Sequence, residues 1–157
     1  MLWWDETGNE ESMNKVLVLN GPNLNRLDIR DSQHYGTMNF QELTAFIEEE
    51  AARRNLSATV LQTNSEAEMI EWLQSAAISN TPVIINPAAF THYSYGIRDA
   101  AELVKAPLIE VHLSNPLRRE EFRHTSVISG IATGTIGGFG PHSYLLALEA
   151  LSLILNS

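Results

Sequence analysis

Short apolar runs alternate with longer amphipathic segments along most of the chain. The short runs are rich in Val, Ile and Leu and predict buried β-strands at residues 15–19, 57–63, 83–85, 108–111 and 131–136. Apolar residues at helical spacing between them, and a Leu-rich stretch at the end, predict helices at residues 40–51, 66–76, 95–104 and 144–155. Strands and helices therefore follow one another in regular alternation.

Polar residues in front of three predicted helices mark where those helices begin. Asn39 and Glu42 stand three positions apart, as do Ser65 and Glu68, and both pairs have the spacing of a capping box. Ser94 stands directly before the third helix and is expected to cap it. These caps fix the helix starts independently of the apolar pattern.

The alternation predicts an α/β fold with one sheet. Parallel strands joined by helices need right-handed crossovers, and these place helices on both faces of the sheet. The simplest arrangement is a flavodoxin-like three-layer sandwich with a five-stranded parallel sheet, formed by a single domain at residues 14–157. Residues 1–13 are polar and acidic apart from two tryptophans, and we expect them to form a flexible N-terminal extension.

Composition and charge narrow the class of partner. The 157 residues include 10 Lys and Arg against 19 Asp and Glu, and the net charge of −9 argues against nucleic acid or an anionic membrane as a partner. The absence of Cys excludes disulfides, thiol catalysis and Cys-ligated metals. The longest apolar runs are far shorter than the ~20 residues of a membrane span, and the start lacks a signal-peptide pattern, so we expect a cytoplasmic protein.

Polar residues cluster where the predicted strands end. The first strand leads into Asn20, the third into Asn86 and His92, and the fourth carries Glu110 and His112. Ligands of folds of this type bind beyond the carboxyl ends of the strands. We therefore expect these side chains to surround the ligand site.

Half of the cations fall in two loops on that same side. Arg26 and Arg30 share one loop, and Arg118, Arg119 and Arg123 share another. The planar guanidinium binds carboxylate and phosphate groups bidentately, so the clustering favours a small anionic ligand. Solvated loop charge or a subunit contact is the alternative interpretation.

Several functions of this architecture need motifs that the sequence lacks. A phosphoacceptor receiver needs Asp where the first and third strands end in Asn20 and Asn86. The glycine motifs of dinucleotide and nucleotide-phosphate loops are absent, as is the Gly-x-Ser-x-Gly motif of α/β-hydrolases. His92, Glu110 and His112 would be the ligands of a zinc site, for which three loosely placed residues are weak support.

The residues that remain suit acid–base chemistry. Positions i and i+2 of a strand share one face, so Glu110 is expected to orient the imidazole of His112 as a general acid. A hydrogen-bonded histidine without a catalytic role is the alternative. Asn23 and Asn86 carry amides suited to hold a water or substrate oxygen where negative charge develops.

Tyr35 is the candidate base and follows Arg30 by five residues. Lowering the pKa of a phenol by three units takes about 4 kcal/mol, which a partly desolvated Arg supplies and an exposed Arg does not. A tyrosine that only packs or belongs to a lid is the alternative. Together with the arginines, the acid and base favour enolate-type elimination from a hydroxy-carboxylate.

Three collinear motifs resemble the signature of the type II 3-dehydroquinate dehydratases. The first is LNGPNLN at residues 19–25 with Arg30 and Tyr35, the second is NPAAFTH at residues 86–92 with Ser94, Arg98 and Asp99, and the third is EVHLSN at residues 110–115 with REEFR at residues 119–123. The resemblance covers residues 15–151. Its motifs are highly specific because all three occur in order and at the family's spacing.

The resemblance implies dehydration of 3-dehydroquinate to 3-dehydroshikimate through an enolate, without metal or organic cofactor. It assigns removal of the C2 proton to a tyrosinate at Tyr35, whose pKa Arg30 lowers, and assigns enolate stabilisation to a water held by Asn23. It assigns protonation of the departing C1 hydroxyl to His112, assisted by Glu110. The step belongs to the shikimate pathway of aromatic amino acid biosynthesis, and quinate breakdown also uses it.

The resemblance also implies substrate contacts and an assembly. The implied contacts are Asn86, His92, Leu113, Ser114, Arg119, Arg123 and Asp99. The family is typically a homo-dodecamer, a tetramer of trimers, in which Arg98 and Asp99 occupy the position where neighbouring subunits support the site. Besides other copies of the chain, the resemblance implies one partner, the small-molecule substrate 3-dehydroquinate.

Two departures from the family pattern lie in the loop after the first strand. Asp28 stands where Gly is usual, and we expect it within reach of Arg30, where it would compete with the tyrosinate and raise the pKa of Tyr35. Asp31 and Ser32 replace a usual Glu-Pro pair. These two residues belong to the loop that is expected to close over the site as a lid. Losing the Pro is expected to loosen this lid, because Pro limits the freedom of the unfolded chain.

A non-catalytic module of the same fold, binding a cyclic polyhydroxy carboxylate, is the competing hypothesis. Both hypotheses predict ligand binding. Only the enzyme predicts that the conjugated enone absorbance of 3-dehydroshikimate appears, so an ultraviolet assay separates them.

Overall fold

The computed structural model describes residues 13–35 and 37–157, with the backbone but not the side chain of Tyr35. The prediction of a flexible extension concerns residues 1–12 and Met13; residues 1–12 lie outside the described residues, and Met13 has no regular secondary structure. Within these ranges, no helix has both the length and the apolar character needed to cross a bilayer.

One parallel sheet forms the middle layer of the described chain. Its five strands are β1 (Asn14–Asn20), β2 (Leu56–Gln62), β3 (Val83–Asn86), β4 (Leu108–His112) and β5 (Gly134–Gly137). They lie in the order β2-β1-β3-β4-β5, the flavodoxin-like order, so the predicted fold class is confirmed. Folds with this order bind ligands where the direction of strand addition reverses, which is between β1 and β3.

Helices cover both faces of this sheet. Within the described ranges they are α1 (Ser32–Tyr35), α2 (Phe40–Ala52), α3 (Glu66–Ser79), α4 (Tyr95–Glu102) and α5 (His142–Leu155), with shorter 3-10 turns between. Asn39 and Glu42 form the predicted capping box of α2, with hydrogen bonds of 2.8 and 3.1 Å. Ser65 and Ser94 cap α3 and α4 by accepting from the backbone N–H three positions further on.

Alternation along the strands divides the apolar residues between two core layers. One layer packs β1 and β4 side chains such as Val18 and Val111 against α2 and α5. The other packs side chains such as Leu19 and Ile85 against α3 and α4. The sheet is therefore buried on both faces, as its apolar, β-branched strands predict.

Several boundaries differ from the predictions by one to three residues, and two of them are set by tight turns. β5 begins at Gly134 and not at residue 131, because Ser129–Ile131 form a 3-10 turn. Val104 lies beyond the end of α4 in a tight turn, with its N–H bonded to the carbonyl of Ala101 three residues back. Apolar content alone predicted strand and helix there, since Ile131 and Val104 both pack against the second core layer.

Candidate active site

The carboxyl ends of β1 and β3 touch at the base of the site. The N–H of Gly21 donates to the carbonyl oxygen of Asn86 at 2.8 Å. A Cβ at Gly21 would lie 2.4 Å from the carbonyl oxygen of Pro87, so only glycine allows this approach. Asn23 then adopts a left-handed conformation with φ 69°, and its N–H donates to Asn64 Oδ1 at 3.0 Å.

A buried tyrosine connects the two strand ends. The hydroxyl of Tyr144 donates to Asn20 Oδ1 at 2.5 Å and accepts from Asn86 Nδ2 at 2.8 Å. Burial raises the pKa of Tyr144 well above its ordinary value, so the phenol stays protonated and can donate. Asn86 also accepts from the N–H of Ala88 at 3.2 Å, which fixes the orientation of its amide.

Most of the predicted site residues line one cavity beyond these strand ends, here called the site cavity. Its lining includes Asn23, Arg30, Asn86, His92, His112, Leu113, Ser114, Arg119 and Arg123. An adjoining cavity is lined by Glu110, and His92, His112 and Arg123 line both cavities. The loops after β1, β3 and β4 thus converge on one place.

The predicted contact between Glu110 and His112 is present. Glu110 Oε2 lies 2.5 Å from His112 Nε2, and the glutamate is fully buried. Burial by itself raises the pKa of Glu110, but hydrogen bonds and charge from His112, and hydroxyls of Ser129 and Thr91, outweigh it and hold the pKa below its ordinary value. With Nε2 held by the carboxylate, Nδ1 is the nitrogen that His112 can offer to a ligand.

Two arginines of the loop after β4 reach the site cavity. Arg123 donates from Nε to Glu120 Oε2 at 2.8 Å, and this hydrogen bond lowers the pKa of Glu120. The guanidinium lies 4.5 Å from the ring centre of Phe122. Arg119 is 11% exposed at its side chain and donates to Ser114 Oγ at 3.4 Å.

His92 is oriented by the backbone of the same loop. Its Nδ1 lies 2.7 Å from the carbonyl oxygen of Thr125, and since a carbonyl only accepts, Nδ1 carries the proton. The ring also packs edge-on against Phe122 at 6.0 Å between centroids. In the neutral imidazole, Nε2 is therefore an acceptor for a ligand in the cavities that His92 lines.

Asp28 has a different partner from the one expected. Arg26 binds its carboxylate in a bidentate manner, at 3.0 and 3.1 Å, and both side chains are about half exposed. The hydrogen bond from Arg26 lowers the pKa of Asp28. The 3-10 helix Leu24–Ile29 brings these two side chains together. The expectation that Asp28 competes for Arg30 is therefore corrected: the partner of this carboxylate is Arg26.

Two predicted site residues have roles that the structure does not test. Tyr35 ends α1, and its side chain lies outside the described residues, so its contact with Arg30 stays a prediction. Residues 32–34 of α1 line a cleft together with Leu113 and Ser114, which places α1 beside the loop after β4. Asp99 is exposed on α4, and its role in a neighbouring subunit stays a prediction.

The described part of the chain contains no set of ligands for the zinc site considered above. No three His, Asp or Glu side chains are grouped there closely enough to hold a metal ion. The carboxylate of Glu110 is instead surrounded by hydrogen-bond donors, among them Thr91, Ser129 and the ring of His112.

Sequence reasoning missed four side chains that support the site. They are the tyrosine below the strand ends and three hydroxyl residues around Glu110, namely Tyr144, Thr91, Ser126 and Ser129. A signal for Tyr144 was available, because a phenol is unusual in the Leu-rich last helix. The three hydroxyl residues follow no period or spacing that would have distinguished them from loop residues.

The sequence of this chain is similar to those of known 3-dehydroquinate dehydratases. Residues 14–152 match the family model for class II dehydroquinases. The chain is 50% identical over 144 residues to the 3-dehydroquinate dehydratase of Dictyoglomus turgidum, covering 92% of this chain and 99% of that one. For the 3-dehydroquinate dehydratase of Pelobacter propionicus, the identity is 51% over 146 residues, covering 92% and 98%.

Solved structures show the same likeness. The crystal structure of the type II dehydroquinase from Propionibacterium acnes has a TM-score of 0.87 at 49% identity, covering 89% of this chain and 97% of that one. The type II dehydroquinase from Butyrivibrio crossotus has a TM-score of 0.87 at 43% identity, covering 93% and 99%. The chain therefore belongs to the class II dehydroquinases, a family of hydro-lyase enzymes.

Proposed function

We propose that the chain dehydrates 3-dehydroquinate to 3-dehydroshikimate by elimination through an enolate, in a single catalytic domain at residues 14–157. The observation that carries the proposal is the buried Glu110–His112 pair at a cavity that Arg30, Asn23 and Arg123 also line. This combination supplies an acid, cations and an amide in one place. Membership of the class II dehydroquinases supports the choice of substrate.

Tyr35 acts as the base in this proposal. The tyrosinate takes a proton from C2 of the substrate, and the electron pair of that C–H bond forms an enolate with the adjacent ketone. Arg30 lines the site cavity and is only partly exposed, which suits it to stabilise a phenolate. The position of α1 beside Leu113 and Ser114 supports a Tyr35 side chain that reaches the substrate.

Asn23 stabilises the enolate by holding a water beside the developing oxyanion. Its left-handed backbone and the bond from its N–H to Asn64 Oδ1 fix where the side chain starts. A preorganised donor of this kind acts only where charge develops, so it lowers the barrier and not merely the free energy of binding.

His112 completes the reaction as the general acid. Its imidazolium donates a proton from Nδ1 to the C1 hydroxyl, the C1–O bond breaks, and water leaves as the enolate collapses to the enone. Glu110 holds Nε2 and stabilises the positive charge on the ring. Exchange with solvent then returns a proton to His112 and removes one from Tyr35. Each transfer has a protein group, so the proposed steps need no metal, imine or organic cofactor.

The remaining cavity residues bind the substrate in this proposal. They are Asn86, His92, Leu113, Ser114, Arg119 and Arg123. We assign the substrate carboxylate or a ring hydroxyl to Arg123, and we assign Asp99 to the site of a neighbouring subunit in a dodecamer built as a tetramer of trimers. The cytoplasmic location expected from the sequence stays a prediction.

The test is the appearance of the enone absorbance when folded, oligomeric protein is mixed with 3-dehydroquinate. The expected result is a steady increase that persists after treatment with a chelator and with borohydride. Protein that binds 3-dehydroquinate but produces no absorbance would establish the non-catalytic binding module instead.

Replacing Arg123 by Ala is expected to increase KM about tenfold to a hundredfold, because one hydrogen bond to a charged group contributes about 1.5–3 kcal/mol. The change in kcat is expected to be small, since the anchor contacts the substrate and the transition state alike. Steady-state kinetics measure both constants. Arg53→Ala, which removes an arginine exposed on the surface beyond α2, serves as the matched control, and an unchanged KM for Arg123→Ala would contradict the anchor role.

A further inference from the structure

The carboxylate of Glu110 is enclosed by hydroxyl groups that the proposed reaction does not use. Thr91 Oγ1 lies 2.7 Å from Glu110 Oε2, and Ser129 Oγ lies 2.6 Å from Oε1. Ser126 Oγ lies 3.2 and 3.3 Å from the two oxygens. Thr91 follows β3, whereas both serines belong to the segment before β5, so two separate parts of the chain converge on one carboxylate.

Backbone contacts decide which way the hydroxyl of Ser126 points. Its oxygen accepts from the N–H groups of Ile128 and Ser129 at 3.1 and 2.9 Å. With both lone pairs occupied, its hydrogen is directed to Glu110 or to Thr91, which lies 2.5 Å away. If it is directed to Thr91, the hydrogen of Thr91 turns to Glu110. In either case the hydroxyl groups donate towards the carboxylate.

We propose that the hydroxyls of Thr91, Ser126 and Ser129 are positioning groups that keep Glu110 ionised and thereby keep His112 in the imidazolium form that can protonate the leaving hydroxyl. The inference rests on the acid role proposed for His112. A fully buried glutamate without donors would favour its neutral form. The proton of the pair would then reside on the carboxyl, and the imidazole would be a neutral ring that is a weaker acid.

Other titratable or charged groups line the two cavities beside the pair. They are Arg30 from the loop after β1, His92 from the turn after β3, and Arg119, Arg123 and His124 from the loop after β4. The neighbouring residues in register on β3 and β5, Ile85 and Thr135, are uncharged. Burial raises the pKa of Glu110, but the hydrogen bond and charge of His112 and the hydroxyls of Ser129 and Thr91 outweigh burial and hold this pKa below its ordinary value.

The test is a titration of the resting enzyme by NMR, with carbon-13 in the glutamate carboxyl groups. The Glu110 signal is identified by its loss in Glu110→Gln. Thr91→Val removes a hydroxyl and keeps the branched shape, and Thr91→Ser restores the hydroxyl. Removing a donor from a carboxylate favours its protonated form, so the midpoint of Glu110 is expected to rise by about one pH unit or more in Thr91→Val. Ser129→Ala, at a partly exposed position, is expected to give the same upward shift.

Nitrogen-15 signals of His112 provide the second measurement. In Thr91→Val and Ser129→Ala, the imidazolium fraction at neutral pH is expected to fall, whereas Thr91→Ser and the exposed control Ser75→Ala are expected to match the unmodified chain. Unchanged Glu110 midpoints in both hydroxyl-deleted variants, or equal shifts in Thr91→Val and Thr91→Ser, would overturn the proposal. Because the titration needs no turnover, a failed ultraviolet assay alongside the expected shifts would count against the proposed reaction and not against the hydroxyl groups.

Discussion

Tyr35→Phe is expected to lower kcat by about 10²–10⁴-fold while the dissociation constant of the substrate changes little. The substitution keeps the aromatic ring and most of the contact area but removes the oxygen that accepts the C2 proton in the proposed reaction. Substrate binding is measured by calorimetry with the inactive variant, and kcat by the increase of the enone absorbance.

Tyr95→Phe is the matched control for this substitution. Tyr95 is 70% exposed on α4, so loss of its hydroxyl tests the general effect of a Tyr-to-Phe change. Normal turnover by Tyr35→Phe would show that another group is the base. A loss of binding equal to the loss of turnover would show that Tyr35 contacts the substrate without removing a proton.

His112→Ala is expected to lower kcat by about 10²–10⁴-fold, because the hydroxide leaving from C1 then has no proton donor. The loss is measured from initial rates of the increase in enone absorbance. The substitution leaves the buried Glu110 without its nitrogen partner, so circular dichroism must show that the variant is folded.

His142→Ala is the control for the histidine. His142 is exposed at the first position of α5 and packs edge-on against Phe46, away from the site cavity. Wild-type rates for His142→Ala together with a strong loss for His112→Ala would support the acid role. A kcat of His112→Ala close to that of the unmodified chain would contradict it.

Sequence patterns predicted the elements that depend on local repetition. The period of two in β4 correctly places Glu110 beside His112, because every second residue of a strand lies on the same face. The capping roles of Asn39, Ser65 and Ser94 were also predicted correctly, because each cap accepts a hydrogen bond from an N–H only three residues away. Such features require no knowledge of how distant segments meet.

Features that join distant segments were not predictable in this way. The bond between Tyr144 and Asn20 spans 124 residues, and that between Ser129 and Glu110 spans 19. The partner of Asp28 was also missed, although it is only two residues away, because the 3-10 turn that brings Arg26 to it has no clear sequence signal.

The sequence by itself determined the α/β class, the strand ends and the types of chemical group available, because apolar periodicity and motif spacing are local properties of the chain. Only the tertiary structure decided the environment of those groups. The charge state of Glu110 depends on donors from two other segments, and the position of Asn86 depends on a phenol from the last helix. The free energy of a buried polar group is set by the atoms that replace its water, and these come together only when the chain is folded.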